Sequence, residues 1–237
     1  MRILLRFIIA AITLIGLSNQ ADGLGIPAPP DIAREPSTSS KPAGFKALWE
    51  GHNSNAAQWT LDAQDAISKY APDLIKGSSD VATFCPKYDR LGTQDRINFW
   101  VQLIAAMTKY ESSFNPTSRF VESSMSNDPV TGKQTASEGL LQLSYSDGRN
   151  YQRVLPAGVC EFDYEADKRY SVKDLRRTIL NPKNNLTCAI GILNHQVERD
   201  HLIAEANGAY WAVIKTDRPT NKLAQIRAIT KALSFCQ

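Results

Sequence analysis

Histidine is scarce in this chain of 237 residues, with three in all. His52, His195 and His201 share no metal-ligand spacing with one another or with the cysteines, and there is no CxxC pair. A structural or catalytic metal site needs such clustering, so no metal site is expected. An excess of one charge is lacking too. The formal net charge is +3, and it falls to +1 once Arg2 and Arg6, in a segment read below as a leader, are set aside. Nucleic acid or an anionic membrane surface calls for a stronger basic signature, and neither partner is expected. Long apolar runs are also missing: Phe7 to Leu17 is the longest, and it is short for a bilayer span. No fixed-period repeat marks a solenoid.

What the chain does have begins with "MRILLRFIIAAITLIGLSNQADG". A basic start, an apolar stretch and then small or polar residues read as a secretory signal peptide over residues 1–21. Ala21 suits a cleavage site, although Asn19 does not, and an uncleaved anchor is the other reading. No cysteine follows to carry lipid. The expectation is a secreted or periplasmic protein with no stable membrane anchor after cleavage. Residues 22–44, with "GIPAPPDIAREPSTSSKPAG", read as a Pro/Ser-rich tether. Residues 45–237 are long enough for one domain with a full core.

Four cysteines lie beyond the leader: Cys85, Cys160, Cys188 and Cys236. An even count in an exported chain implies two disulfides, with three pairings open. The proximity of Cys160 to the segment bearing Cys188, and the near-terminal place of Cys236, favour Cys160–Cys188 and Cys85–Cys236. Asn185-Leu186-Thr187 is a formal glycosylation sequon.

Apolar spacing predicts helices at 60–71, capped by Thr60, and at 93–111, capped by Thr93. Helical spacing also runs through "SVKDLRRTIL", "PKNNLTCAIGILNHQVERD", "HLIAEANGAYWAVI" and "NKLAQIRAITKALSFC". Residues 117–136 are polar and without period, hence a long loop. A small strand element is expected near 140–145. The fold class is therefore mainly α, an α+β chain with one α-rich domain and a little strand beside a cleft.

One acid stands out. Ile97, Trp100, Val101, Ile104 and Met107 recur at three- and four-residue steps, and Glu111 falls on the same stripe. A carboxyl steered onto a buried face loses hydration, which disfavours its charged form and raises its pKa. Such an acid can hold a proton near neutrality and give it to a leaving oxygen. Glycoside cleavage needs that donor, since a sugar alkoxide leaves poorly. A solvated Glu at a helix end is the plain alternative.

Four blocks weigh against the plain reading. "ESSFNP" followed by "SEGLLQL" resembles the motif pair of the soluble lytic transglycosylases and their goose-type lysozyme relatives. Glu111, Ser112, Phe114, Asn115 and Pro116 match the first motif. Gly139, Leu140, Leu141 and Gln142 match the second, with Leu141 in place of the usual Met. "NPKNNLTCAIGIL" matches a third block through Pro182, Asn185, Leu186 and Leu193, with Ala189 at a Gly position. "GAYWAVI" resembles a fourth through Ala209 and Tyr210, with Trp211 at the family's Asn and Val213 at its Gly.

The resemblance implies a lysozyme-like domain that cleaves the β-1,4 bond between N-acetylmuramic acid and N-acetylglucosamine, with peptidoglycan glycan strands as partner and a monomer as acting unit. It implies Glu111 as general acid and then base, Ser112 orienting the sugar, Gln142 and Tyr210 lining the cleft, and no need of a metal or cofactor. Tyr145 is a candidate stacking wall. Ser112 could instead bond the fraying helix end, and Tyr210 could be a core aromatic. Cleavage with one carboxylate closes the muramic 6-hydroxyl onto the anomeric carbon and leaves a 1,6-anhydro end, which the motif pair favours. Hydrolysis needs a second carboxylate, for which Asp128, Glu138 and Asp147 are candidates, each with a plain reading as a loop, turn or solvated residue. A true lysozyme of the same fold and a non-catalytic glycan-binding protein are the alternatives. The loop after Pro116 exceeds the family's usual length, so it could reshape the cleft.

Overall fold

The computed structural model describes residues 44–237; the leader and, Gly44 excepted, the tether lie outside them. Among the described residues, seven α-helices and a two-stranded antiparallel sheet make an α-rich α+β architecture, as the sequence pattern predicts. Among the described residues no helix is long and apolar enough to cross a membrane.

Helix α3, Thr93–Glu111, forms the centre. Its buried positions run without a break from Ile97 to Thr108, so the helix is enclosed on all sides rather than along one stripe. Around it pack α1 (Ala56–Tyr70), α2 (Pro72–Lys76) and α7 (Leu223–Lys231), while α6 (Pro182–Asp200) lies against α1 and α2. Two short helices, α4 (Tyr145–Tyr151) and α5 (Tyr164–Asp167), complete the set. The polar atoms of the core aromatics Trp100 and Tyr88 are paired. Trp100 Nε1 donates to Tyr88 Oη at 2.8 Å, and Tyr88 donates in turn to the Leu74 carbonyl at 2.7 Å. Both expected disulfides are present: Cys85–Cys236 ties the C-terminus to the segment before α3, and Cys160–Cys188 ties a loop to α6. In the chain-entropy view each crosslink of this kind contributes on the order of 3–5 kcal/mol.

Several sequence expectations need correction. The first helix starts at Ala56, four residues before Thr60, and Thr60 is no cap. It is buried, accepting from Trp49 Nε1 at 2.9 Å and donating to Glu50 at 2.6 Å. Gly92 occupies the cap position of α3, and Thr93 is its first residue. "SVKDLRRTIL" forms turns, not a helix. Asp174 takes the Arg176 N–H at 2.9 Å, a local bond that competes with helix, and Asp167 takes the Thr178 N–H at 2.7 Å. "HLIAEANGAYWAVI" is likewise mostly irregular, because Asp80 captures the N–H groups of Ile203 and Ala204 at 2.9 and 3.0 Å. The polar stretch 117–136 is a hairpin arm: β1 (Arg119–Val121) pairs with β2 (Ala136–Glu138). The strand thus precedes the expected 140–145, where only Leu143 bridges back to Glu138.

The sequon is unusable in this fold. Asn185 is fully buried on α6, and its side chain donates to the carbonyls of Glu138 and Ile179 while accepting from Leu141 N–H at 2.9 Å. This amide staples the α6 surface to the Gly139–Leu141 turn. Gly139 has φ +80°, and a Cβ there would stand 2.4 Å from the Asn185 amide nitrogen, so only glycine fits the turn.

Candidate active site

Glu111 is the last residue of α3, where the enclosed helix emerges from the core. The chain turns away at once. Ser113 and Phe114 adopt left-handed φ of +53° and +62°, each costing about 1–3 kcal/mol for a non-glycine residue. Phe114 is buried and stacks on His52 at 4.8 Å, which helps to hold the turn. Pro116 then blocks any continuation. Gln142 also has positive φ, +51°. Among the described residues, three of the four non-glycine residues with positive φ therefore flank one cleft.

That cleft holds about 620 Å³. Glu111 shares it with Glu122, Gln142, Asp147, Tyr210 and Trp211, and with the hairpin residues Phe120, Met125 and Ser137. Burial pushes the Glu111 carboxyl up to about 7, and the negative charge of Glu122 adds to the rise. Glu111 is thus a proton donor that can still be loaded near neutral pH. A larger cavity of about 1060 Å³ opens beside Cys160 and Phe162. Its acids Asp65, Glu161, Asp163 and Glu165 are all exposed, so none of them shares the desolvation of Glu111.

The expected site residues divide by place. Gln142 and Tyr210 stand in the cleft walls. Gln142 Nε2 donates to the Gly139 carbonyl at 2.8 Å, and the Tyr210 hydroxyl donates to Asp147 at 2.6 Å. Burial, with the Asp147 charge next, holds the Tyr210 hydroxyl well above the ordinary tyrosine range. Ser112 is buried behind Glu111, its hydroxyl 3.3 Å from the Thr108 carbonyl, so it bonds the helix end. Tyr145 is placed away from the cleft. It is buried, donating to Asp167 at 2.8 Å and accepting from Arg177 at 3.0 Å. Burial raises its hydroxyl pKa as well.

The three candidate second carboxylates separate in the same way. Asp128 is buried at the hairpin tip, accepting from the N–H groups of Val130, Thr131 and Ser146. It ties the loop to the start of α4. Glu138 is neither in the cleft nor solvated: it is 3 % exposed and paired with both guanidinium nitrogens of Arg177. Arg119 lies 3.7 Å away on the adjacent strand. Asp147 does line the cleft, but one of its oxygens already accepts from Ser144 N–H, the Ser144 hydroxyl and Tyr210. It caps α4 and fixes the Tyr210 ring.

Sequence reasoning passed over Glu122. Its Oε1 accepts from the Ser137 hydroxyl at 2.6 Å, inside the cleft and close enough to repel a charge on Glu111. The polarity of "RFVES" gives no alternating signal, and only an extended conformation puts Glu122 on the same side of the ribbon as Phe120. Trp211 donates from Nε1 to the Leu141 carbonyl at 2.8 Å. It braces the turn that carries Gln142.

The Glu138–Arg177 pair holds this wall in place from behind. Removing one partner of a buried pair strands a charge and costs about 3–5 kcal/mol. Arg177→Met is therefore expected to lower the urea midpoint sharply, whereas Glu138→Gln together with Arg177→Met should recover much of the loss. A double variant no more stable than Arg177→Met would show that the pair acts through something other than mutual neutralisation.

No family model matches the chain, and no curated protein does. Three solved structures are similar: "Bd0314 DslA wild-type form 2" (28% identity, TM-score 0.66) and two variants of the same protein (28% and 29%, TM-scores 0.66 and 0.65). The matches cover 81% of this chain and 97–98% of those chains. Each variant has one glutamate replaced by glutamine, at positions eleven residues apart. The likeness supports a related enzyme fold.

Proposed function

We propose that this chain is an exported enzyme that cuts peptidoglycan glycan strands at the β-1,4 bond between N-acetylmuramic acid and N-acetylglucosamine. The observation that carries the reading is Glu111, a desolvated carboxyl at the floor of an open cleft, raised to about 7 by burial. A carboxylic acid so tuned protonates the glycosidic oxygen as the bond breaks and takes a proton back in the second half of the reaction. Gln142, Tyr210 and Trp211 form the walls that orient the sugars.

The sequence motifs favour closure to a 1,6-anhydro end, which needs one carboxylate. Glu122 favours the alternative. A second carboxylate in the same cleft can activate water or shield positive charge at the anomeric carbon, the two roles that hydrolysis adds. Glu111 and Glu122 are also eleven residues apart, the separation of the two glutamates altered in the similar structures. Hydrolysis to reducing ends is the better-supported product.

Digestion of purified sacculi by the secreted chain, with mass spectrometry of the released muropeptides, tests both levels. Reducing-end muropeptides are expected. Anhydro-muropeptides in their place would return the protein to the one-carboxylate route. Intact sacculi after prolonged digestion would leave a glycan-binding protein as the reading.

A further inference from the structure

Large apolar side chains that face water in a folded domain are common singly, but a pair on the rim of a catalytic cleft asks for a ligand. Phe120 is 61% exposed and Met125 56%, and both line the cleft around Glu111. They belong to the hairpin arm that is longer than the family pattern.

The register explains how the arm presents them. Phe120 pairs directly with Ser137, and directly paired residues project on the same face of an antiparallel ribbon. Glu122, two residues on from Phe120, shares that face and accepts the Ser137 hydroxyl. The front of the ribbon therefore carries Phe120, Glu122 and Ser137 towards the cleft. The back carries Arg119 and Glu138, which are paired with each other in the register. Through Glu138 the back is locked to Arg177 in the body of the domain. Further along, Asp128 pins the tip to α4 through Ser146 N–H. Phe120 is thus exposed on a strand that is itself held, the combination that a binding platform needs and that a loose loop lacks.

We infer that Phe120 and Met125 form a glycan subsite, a wall that stacks on the apolar face of a pyranose ring of the strand beyond the bond being cut. The axial C–H face of such a ring is flat and apolar, and an aromatic edge or face complements it; the Met125 thioether adapts to the rest of the contour. The occupant is a sugar and not a second protein, because the wall is continuous with the cleft that takes the strand. This inference rests on the glycan-cleaving reading and goes beyond it by naming residues that no resemblance assigns.

Contacts of this kind act in the ground state and transition state alike, so Phe120→Ala should raise KM about tenfold with kcat nearly unchanged. Phe120→Trp should keep the KM. The binding arm uses the catalytically silent Glu111→Gln chain and peptide-free glycan strands, prepared by amidase treatment of sacculi. There Phe120→Ala should weaken affinity by about tenfold, a loss within reach of one stacked ring. Unchanged binding after Phe120→Ala, with sacculi still digested by the wild type, would overturn the subsite and leave the enzyme reading standing. A loss on intact sacculi but not on peptide-free strands would overturn it too, assigning the wall to the stem peptide. If the wild type neither binds strands nor digests sacculi, both readings fall together.

Discussion

Glu111→Gln should slow release of glycan from sacculi by about two to four orders of magnitude, the usual worth of a positioned general acid. The amide keeps the size and hydrogen-bonding reach of the carboxyl but has no proton to give. The same variant should be more stable than the wild type in alkaline solution. In the unfolded chain the Glu111 proton leaves near 4.5; in the folded chain burial, with the charge of Glu122, holds it until about 7. Between those values the folded state binds more protons than the unfolded, so rising pH works against folding. By pH 8 the buried charge costs the wild type about 3 kcal/mol, whereas at pH 4 both states are mostly protonated and the cost nearly vanishes. Urea unfolding of both proteins at pH 4 and pH 8 reads the difference directly. Equal stability at pH 8 would mean that Glu111 is not desolvated, and the general-acid role would lose its basis.

Glu122→Gln is the second large expectation. If Glu122 activates water or shields the anomeric carbon, its loss should lower kcat by about a hundredfold or more, with the fold intact. A second readout separates this from simple damage. The charge of Glu122 helps to raise Glu111, so removing it should move the alkaline limb of the pH–rate profile to lower pH. Burial is the larger cause and remains, so the limb should not fall back to the ordinary carboxyl range. A variant with near-wild-type rate, anhydro products and an unmoved alkaline limb would dismiss Glu122 from the chemistry.

Asp147 shows why candidate acids in a sequence must be sorted by what holds them. It lines the same cleft as Glu111, yet three donors converge on one of its oxygens. Its part is to cap α4 and to aim Tyr210. Asp128 and Glu138 are still more committed, the first to backbone N–H groups and the second to Arg177. Glu138 had a bland reading as a solvated charge, and burial beside a guanidinium replaces it with a structural one.

The sequence by itself determined the central helix, because Ile97, Trp100, Val101, Ile104 and Met107 recur at helical steps and Pro116 stops the chain soon after, whereas packing enclosed it on every side. It determined where Glu111 would sit, since helical spacing is a local property that carries a side chain to a calculable face. It determined α6 and the last helix for the same reason, and the even cysteine count with its separations anticipated both crosslinks. Tertiary structure decided the rest. Two segments with helical spacing became turns because carboxylates far away or nearby in the fold, Asp80, Asp167 and Asp174, took their N–H groups. The polar loop became a hairpin through pairing of residues 119–121 with 136–138, and Glu138 and Arg177, 39 residues apart, fasten its back to the interior. Glu122 entered the cleft on that hairpin. Pairing of strands and of buried charges depends on partners distant in the chain, and no local period records it.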